Sequence, residues 1–303
     1  MRQRLVLIAV GLTAFVMVAS AQSDLDAFMS QVLARRDDNW AKLQQYILDE
    51  GETLGITGLD GRRLYGFSRD YNWFPRDGIF IRSPTKADGV IVSESDRRKA
   101  EEAWLRREQG REPKDDNNQP PTAAGPHSDG GVPGLEDLVT PGKEPRFVSS
   151  AYFMKFKFDP GHYALAGRER LLGRDVLKIE YYPSRMFEEG RTRPARELRS
   201  EDERVEEKMN KAALVTLWVE PVAHQILQYE FANIDWSFLP GRWVVRIDDL
   251  HASMKMAQPF PDVWLPDTIA MRFRMTLAIG EVAARYDVRY HDYRLADVRS
   301  RIR

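Results

Sequence analysis

The chain has 303 residues, with 45 Lys and Arg against 46 Asp and Glu, 43% hydrophobic residues and no cysteine. Balanced charge argues against a dedicated nucleic-acid binder, and 30% charged residues are too many for an integral helical membrane protein. The missing thiols exclude disulfides, thiolate catalysis and Cys-ligated zinc.

Arg2 and Arg4 precede Leu5 to Val18, a 14-residue block without charge, which runs into Ala19-Ser20-Ala21. A cationic start, a short apolar block and an A-x-A site predict a secretory signal peptide over 1–21, cleaved after Ala21. The block is shorter than the roughly 20 residues that a spanning helix needs, so the mature chain is read as not membrane-spanning. Loss of two arginines leaves 43 positive against 46 negative groups, a mildly acidic protein with no general attraction to anionic lipid. The expected compartment is the periplasm or the cell exterior, where nucleotide-driven chemistry is disfavoured, and no G-x-x-x-x-G-K-[ST] loop is present.

Residues 22–111 read as a helix, hairpins and a second helix. Leu25, Phe28, Met29, Val32 and Leu33 recur at helical spacing behind Ser23. Asp60-Gly61 and Arg76-Asp77-Gly78 mark hairpin turns, and Ser95 to Arg111, with Trp104 and Leu105 on one side, predicts a largely wet helix. Glu112 to Pro145 holds seven of the 17 prolines and five glycines, too little apolar area to offset ordering, so 112–145 is expected to be a disordered loop.

Residues 146–303 are dominated by period-2 alternation, and are expected to form one continuous domain with 22–111. Tyr152, Met154, Phe156 and Phe158 share one strand face, with Lys155 and Lys157 opposite. Leu227, Tyr229 and Phe231 alternate with Gln228 and Glu230, and Trp243, Val245 and Ile247 with Arg246 and Asp248. Ile269, Met271, Phe273, Met275 and Leu277 form another such set, followed by Val282, Ala284, Tyr286, Val288 and Tyr290. This is the pattern of an antiparallel sheet with one apolar face. Leu214 to Val219 lacks alternation and predicts a strand covered on both sides; Ser200 to Lys211, with Ser200 and Glu203 spaced as a capping box, predicts a third helix or an excursion. The fold class is mainly β (α+β), with about eleven strands and two or three helices. Its apolar face must be buried by a second sheet, by curling, or under helices. Met254, Met256, Met271 and Met275 favour a lining that repacks around irregular apolar ligands over a rigid core.

The order of elements, with Gly173-Arg174-Asp175-Val176-Leu177-Lys178-Ile179-Glu180-Tyr181-Tyr182-Pro183, Val215-Thr216-Leu217-Trp218-Val219-Glu220, Trp264-Leu265-Pro266-Asp267-Thr268-Ile269 and the closing Tyr286 to Arg294, resembles the outer-membrane lipoprotein-sorting and carrier superfamily, the LolA-like proteins. The resemblance is best over 147–294. It implies an incomplete antiparallel β-barrel or strongly curved sheet, with helices as a lid over the apolar face. It further implies a hydrophobic ligand, a lipid or lipoprotein acyl chain, held between them. With the alternating face, this makes Met154, Phe156, Trp218, Tyr229, Phe231, Met271, Phe273, Met275, Tyr286, Val288 and Tyr290 the candidate pocket.

No catalytic residue, metal or cofactor is expected, so the chain is read as a non-enzyme. No two of His127, His162, His224, His251 and His291 stand at i, i+4, and Gly66-Phe67-Ser68-Arg69-Asp70 breaks the G-x-S-x-G elbow at its last position. His251 near Asp248-Asp249 and His291 before Asp292 could contribute to a mixed His/Asp site, but they fit a polar strand face better. Two alternatives stay open: an envelope regulatory or assembly module of the same fold that binds a protein partner, and a secreted hydrolase without a recognisable motif.

Overall fold

The computed structural model describes residues 2–76, 78–109, 149–183, 214–232, 246–277 and 280–296, with the side chains of 2–22, 107–109, 246–249, 275 and 277 left aside. The Glu112 to Pro145 loop, the Ser200 to Lys211 run, Trp243 and Val245 lie outside the described residues. Among the described residues, no helix is long and apolar enough to cross a membrane, a statement that does not extend to strands.

Helix α1 (Arg2–Leu43) runs unbroken through the expected leader and the first mature helix. Strands β1 (Tyr46–Gly58), β2 (Arg63–Arg76), β3 (Ile79–Ala87) and β4 (Val90–Ile91) follow, then α2 (Glu94–Gln109) and the short α3 (Ser150–Lys155). The chain continues through β5 (Tyr163–Leu171), β6 (Arg174–Tyr181), β7 (Leu214–Glu220), β8 (Gln225–Ala232), β9 (Arg246–Phe260), β10 (Val263–Leu277) and β11 (Gly280–Leu295). Both turn expectations hold. Gly61 and Gly78 adopt φ of +76° and +77°, backbone that a residue with a Cβ rarely enters.

These eleven strands form one antiparallel sheet in the order β4-β3-β2-β1-β11-β10-β9-β8-β7-β6-β5, which among the described residues leaves both edges unpaired and does not close into a barrel. The N-terminal hairpins join the C-terminal strands through β1 and β11, in register from Tyr46 opposite Leu295 to Gly58 opposite Val282. One face is apolar and lies under the helices, with Met29 and Val32 of α1 and Phe153 and Met154 of α3 buried in the same core as the strands. As the missing alternation predicts, Val215 to Val219 are all buried.

One element differs from the sequence reading. The stretch Tyr152 to Phe158 is not a strand with Tyr152, Met154, Phe156 and Phe158 on one face; its first half is α3. The Ser149 hydroxyl accepts the Tyr152 N–H at 3.1 Å, and the single turn buries Phe153 beside Met154. Four large apolar residues spaced by two look alike as a strand or as one helical turn running into an extended tail. The cap and the packing decide. Helix α2 is capped the same way, Ser93 Oγ accepting from the Asp96 N–H at 3.2 Å and donating to the Asp96 carboxylate at 2.8 Å.

Candidate functional site: the seam between helices and sheet

Ten of the eleven candidate pocket residues are described, and each is at most 8% exposed; the Met275 side chain is outside the described set. Cross-strand register brings most of them together. Met271 faces Tyr286, Phe273 faces Ala284 and Ile269 faces Val288, while Met254 of β9 lies opposite both Ile269 and Tyr229. Phe153 and Phe156 stand edge-on to Phe231, with ring centroids 5.0 Å away in both cases, so Met154 and Phe156 enter the seam from the helix side. Exposure this low means that the seam is closely packed. A ligand on this face would have to part the helices from the sheet.

Trp218 does not belong with them. Leu217 is the residue opposite Tyr229, whereas Trp218 is opposite Gln228 and Lys178, so its indole lies on the other face of the sheet. There it donates to Glu169 Oε2 at 2.8 Å, with Lys178 Nζ 5.6 Å from the ring centre.

The helices are fastened to each other and, at one deep point, to the sheet. Arg36 of α1 donates to the Phe156 carbonyl at 2.6 Å, and Lys155 of α3 lies 4.9 Å from the Trp40 ring centre. Between α1 and β8, Asn39 Nδ2 donates to Gln225 Oε1 at 2.8 Å with both residues buried, and Gln225 Nε2 donates to the Ile226 carbonyl at 2.7 Å. Asn39 Oδ1 is buried without a partner. At the rim, Arg35 reaches the Asp262 carbonyl at 3.0 Å and Asp26 accepts the Gly161 N–H at 3.0 Å.

The buried face also holds a charge cluster that the sequence reading missed. Glu50 and Glu52 of β1 sit on the core side between Leu48 and Leu54. Arg82 of β3 is fully buried against them, paired with Glu50 and at 2.9 Å from Glu52 Oε2. The Tyr71 ring lies 3.5 Å below the Arg82 guanidinium, Trp73 Nε1 donates to Glu50, and the Tyr286 hydroxyl donates to Glu52 at 3.2 Å. Burial pushes the Glu52 carboxyl above its ordinary value against the lowering pull of Arg82. Burial alone would lower the guanidinium, yet Glu50 and Glu52 hold Arg82 well above its usual range. The phase of β1 carried the clue, since Tyr46, Leu48 and Leu54 share one parity with Glu50 and Glu52.

Of the polar residues considered at the outset, His251 lies 3.2 Å from Glu230, and His291 Nδ1 lies 2.7 Å from Asp292. Asp49, His291 and Asp292 bring one ligand atom each within 4.8 Å of one another. Asp49 is already held by Asn72 at 2.6 Å and by Arg294 at 3.4 Å.

No protein-family model and no curated protein matches the chain. Among solved structures it is similar to an outer membrane lipoprotein-sorting protein domain from Vibrio parahaemolyticus, at 11% identity and TM-score 0.37, covering 88% of this chain and 92% of that one. It is also similar to a DUF1329 family protein from Desulfovibrio piger, at 12% identity and TM-score 0.28 over 88% and 91%. A third is MucB in complex with MucA from Pseudomonas aeruginosa, at 10% identity and TM-score 0.19 over 88% and 94%. Likenesses of this size carry no argument about this chain.

Proposed function

We propose that the chain is an exported envelope protein that holds an apolar ligand, a lipid or an acyl chain, between the sheet and the pair α1 and α3. The observation that carries this reading is the composition of the seam. Met29 of α1, Met154 of α3, Met254 and Met256 of β9 and Met271 of β10 are all at most 3% exposed. Methionine has three soft torsions and a polarisable sulfur, so a seam lined with it closes on itself and also repacks around a chain of irregular shape. Among the described residues the only fully buried polar contact from α1 to the sheet is Asn39 with Gln225, and the rim contacts are exposed. The helices can therefore separate as a joined lid with little polar loss. The N-terminal Arg2 to Ala21 pattern supports export.

Native mass spectrometry of the chain purified gently from its exporting compartment tests this, with organic extraction of anything bound. An adduct of lipid mass that a fluorescent acyl probe displaces is the expected result. Met271→Asp should lose the adduct while the far-UV spectrum is kept. A bare protein that also ignores the probe would overturn the carrier reading. Capture of a protein partner without lipid would favour the regulatory alternative.

A further inference from the structure

The solvent side of the sheet is not a plain wet surface. A groove of about 690 Å³ crosses β2, β1, β11, β10 and β9, lined by Thr53, Ser253, Ala270, Asp287, Arg272 and Arg289 among others. That volume lies in the ordinary range for small-molecule sites. Register arranges the side chains in three rows perpendicular to the strands. The middle row has short side chains, three of them hydroxylated: Ser253, Ala270, Asp287, Thr53 and Ser68. Lys255, Thr268 and Arg289 form the row on one side, and His251, Arg272 and Arg285 the row on the other.

The carboxylates at this surface are already engaged. Asp287 is held by Arg285 at 2.6 Å, Asp70 by Lys86 at 3.6 Å and Glu230 by His251 at 3.2 Å. Lys255, Arg272 and Arg289 are left over, with no ion pair or hydrogen bond among the described residues. Arg272 moreover stands directly opposite Arg285, a like-charge cross-strand pair that costs stability unless an anion lies over it. Three cations without a partner among the described residues thus line one hollow.

We propose that this groove binds a small, water-soluble, polyhydroxylated molecule carrying two phosphate groups. Arg289, Lys255 and the Thr268 hydroxyl offer a guanidinium fork, an ammonium and an O–H from one row, a set that suits a tetrahedral oxyanion with several acceptors. Arg272 lies four residues along β10 from Thr268, about 13 Å at strand spacing, and receives the second phosphate. Between the two rows lie the short side chains of Ser253 and Ala270 and the Asp287 carboxylate, and Ser253 and Asp287 can accept hydrogen bonds from the hydroxyls of a sugar-like body. A lipid head group is not the occupant. The groove side chains Ser253, Lys255, Ala270, Arg272, Asp287 and Arg289 alternate with the buried Met254, Met271 and Val288, so groove and seam lie on opposite faces of a single-layer sheet. One lipid cannot fill both. The inference does not depend on the seam holding a ligand.

Isothermal titration calorimetry of the purified chain with fructose 1,6-bisphosphate at low ionic strength tests it. Saturable binding is expected, weakening as salt is raised, with no heat from fructose. Arg289→Gln and Arg272→Gln should each weaken binding at least tenfold at an unchanged melting temperature, and Arg289→Lys should restore part of the loss. No saturable binding, or wild-type affinity in either glutamine variant, would overturn the proposal. So would Arg272- and Arg289-dependent sedimentation with phosphatidylglycerol vesicles that fructose 1,6-bisphosphate does not compete away.

Discussion

The side-chain amide of Asn39 and that of Gln225 are joined by one 2.8 Å hydrogen bond, buried among apolar side chains, with Asn39 Oδ1 left unpartnered. A buried polar atom without a partner costs about 1–3 kcal/mol, and the pair is therefore the weak point of the seam. Gln225→Leu should destabilise the chain more than Asn39→Leu, because it strands the whole Asn39 amide. The double Leu variant should recover most of the loss. Urea midpoints of the four proteins check the order, and a double variant as unstable as Gln225→Leu would refute it.

Arg82 is the counter-charge for two carboxylates that have no water to turn to. Arg82→Met should cost roughly 3–5 kcal/mol at neutral pH, the usual result of breaking a buried ion pair from one side. Since burial already raises Glu52 and protonation relieves it once Arg82 is gone, the deficit should shrink as pH falls toward 5. Thermal unfolding across that range is the measurement.

Burial raises the hydroxyl of Tyr71 to about 12 and that of Tyr181 to about 12, and pushes Tyr229 and Tyr286 up as well. A group that holds its proton more tightly when folded gives stability that is complete below its unfolded value near 10 and is lost as pH climbs through the folded value. Alkaline unfolding is therefore expected between about pH 10 and 12. Phenolate absorbance at 295 nm should rise together with loss of near-UV dichroism, and ionisation of these residues well before unfolding would contradict the closed seam.

Ser149 supplies the one side-chain cap of α3. Ser149→Ala should lower stability by about 1 kcal/mol and Ser149→Asp should keep it. Guanidinium midpoints separate the two.

The sheet was legible wherever side chains obey a period of two. Tyr229, Phe231, Met271, Phe273, Tyr286 and Tyr290 are buried as their alternation requires, and the unbroken apolar run at β7 is buried throughout. What escaped was decided by partners remote in sequence. Glu50 and Glu52 were not singled out, and their burial depends on Arg82, brought alongside through β2, with Trp73 and Tyr286 donating to them. Trp218 read as part of the apolar pocket, yet strand parity places it on the other face, near Lys178 and beside Glu169. Tyr152 to Phe158 carried a spacing that two backbones satisfy equally, and the Ser149 cap chose between them. The cationic groove was written in Lys255, Arg272 and Arg289, but their convergence needs the register of three strands.

The pairing of β1 with β11 sets the order in which the molecule can assemble. The hairpins of β1 to β4 and the meander of β5 to β11 are each built from neighbours in the chain, but the bond between them unites Tyr46 with Leu295. Such a contact closes a very long loop and forms slowly. A polypeptide that emerges N-terminus first has to wait for its last strand before its two halves can meet. Truncation before Gly280 would consequently remove the centre of the sheet rather than a margin, leaving two sheets within one chain, β1 to β4 and β5 to β10, each with a bare strand edge.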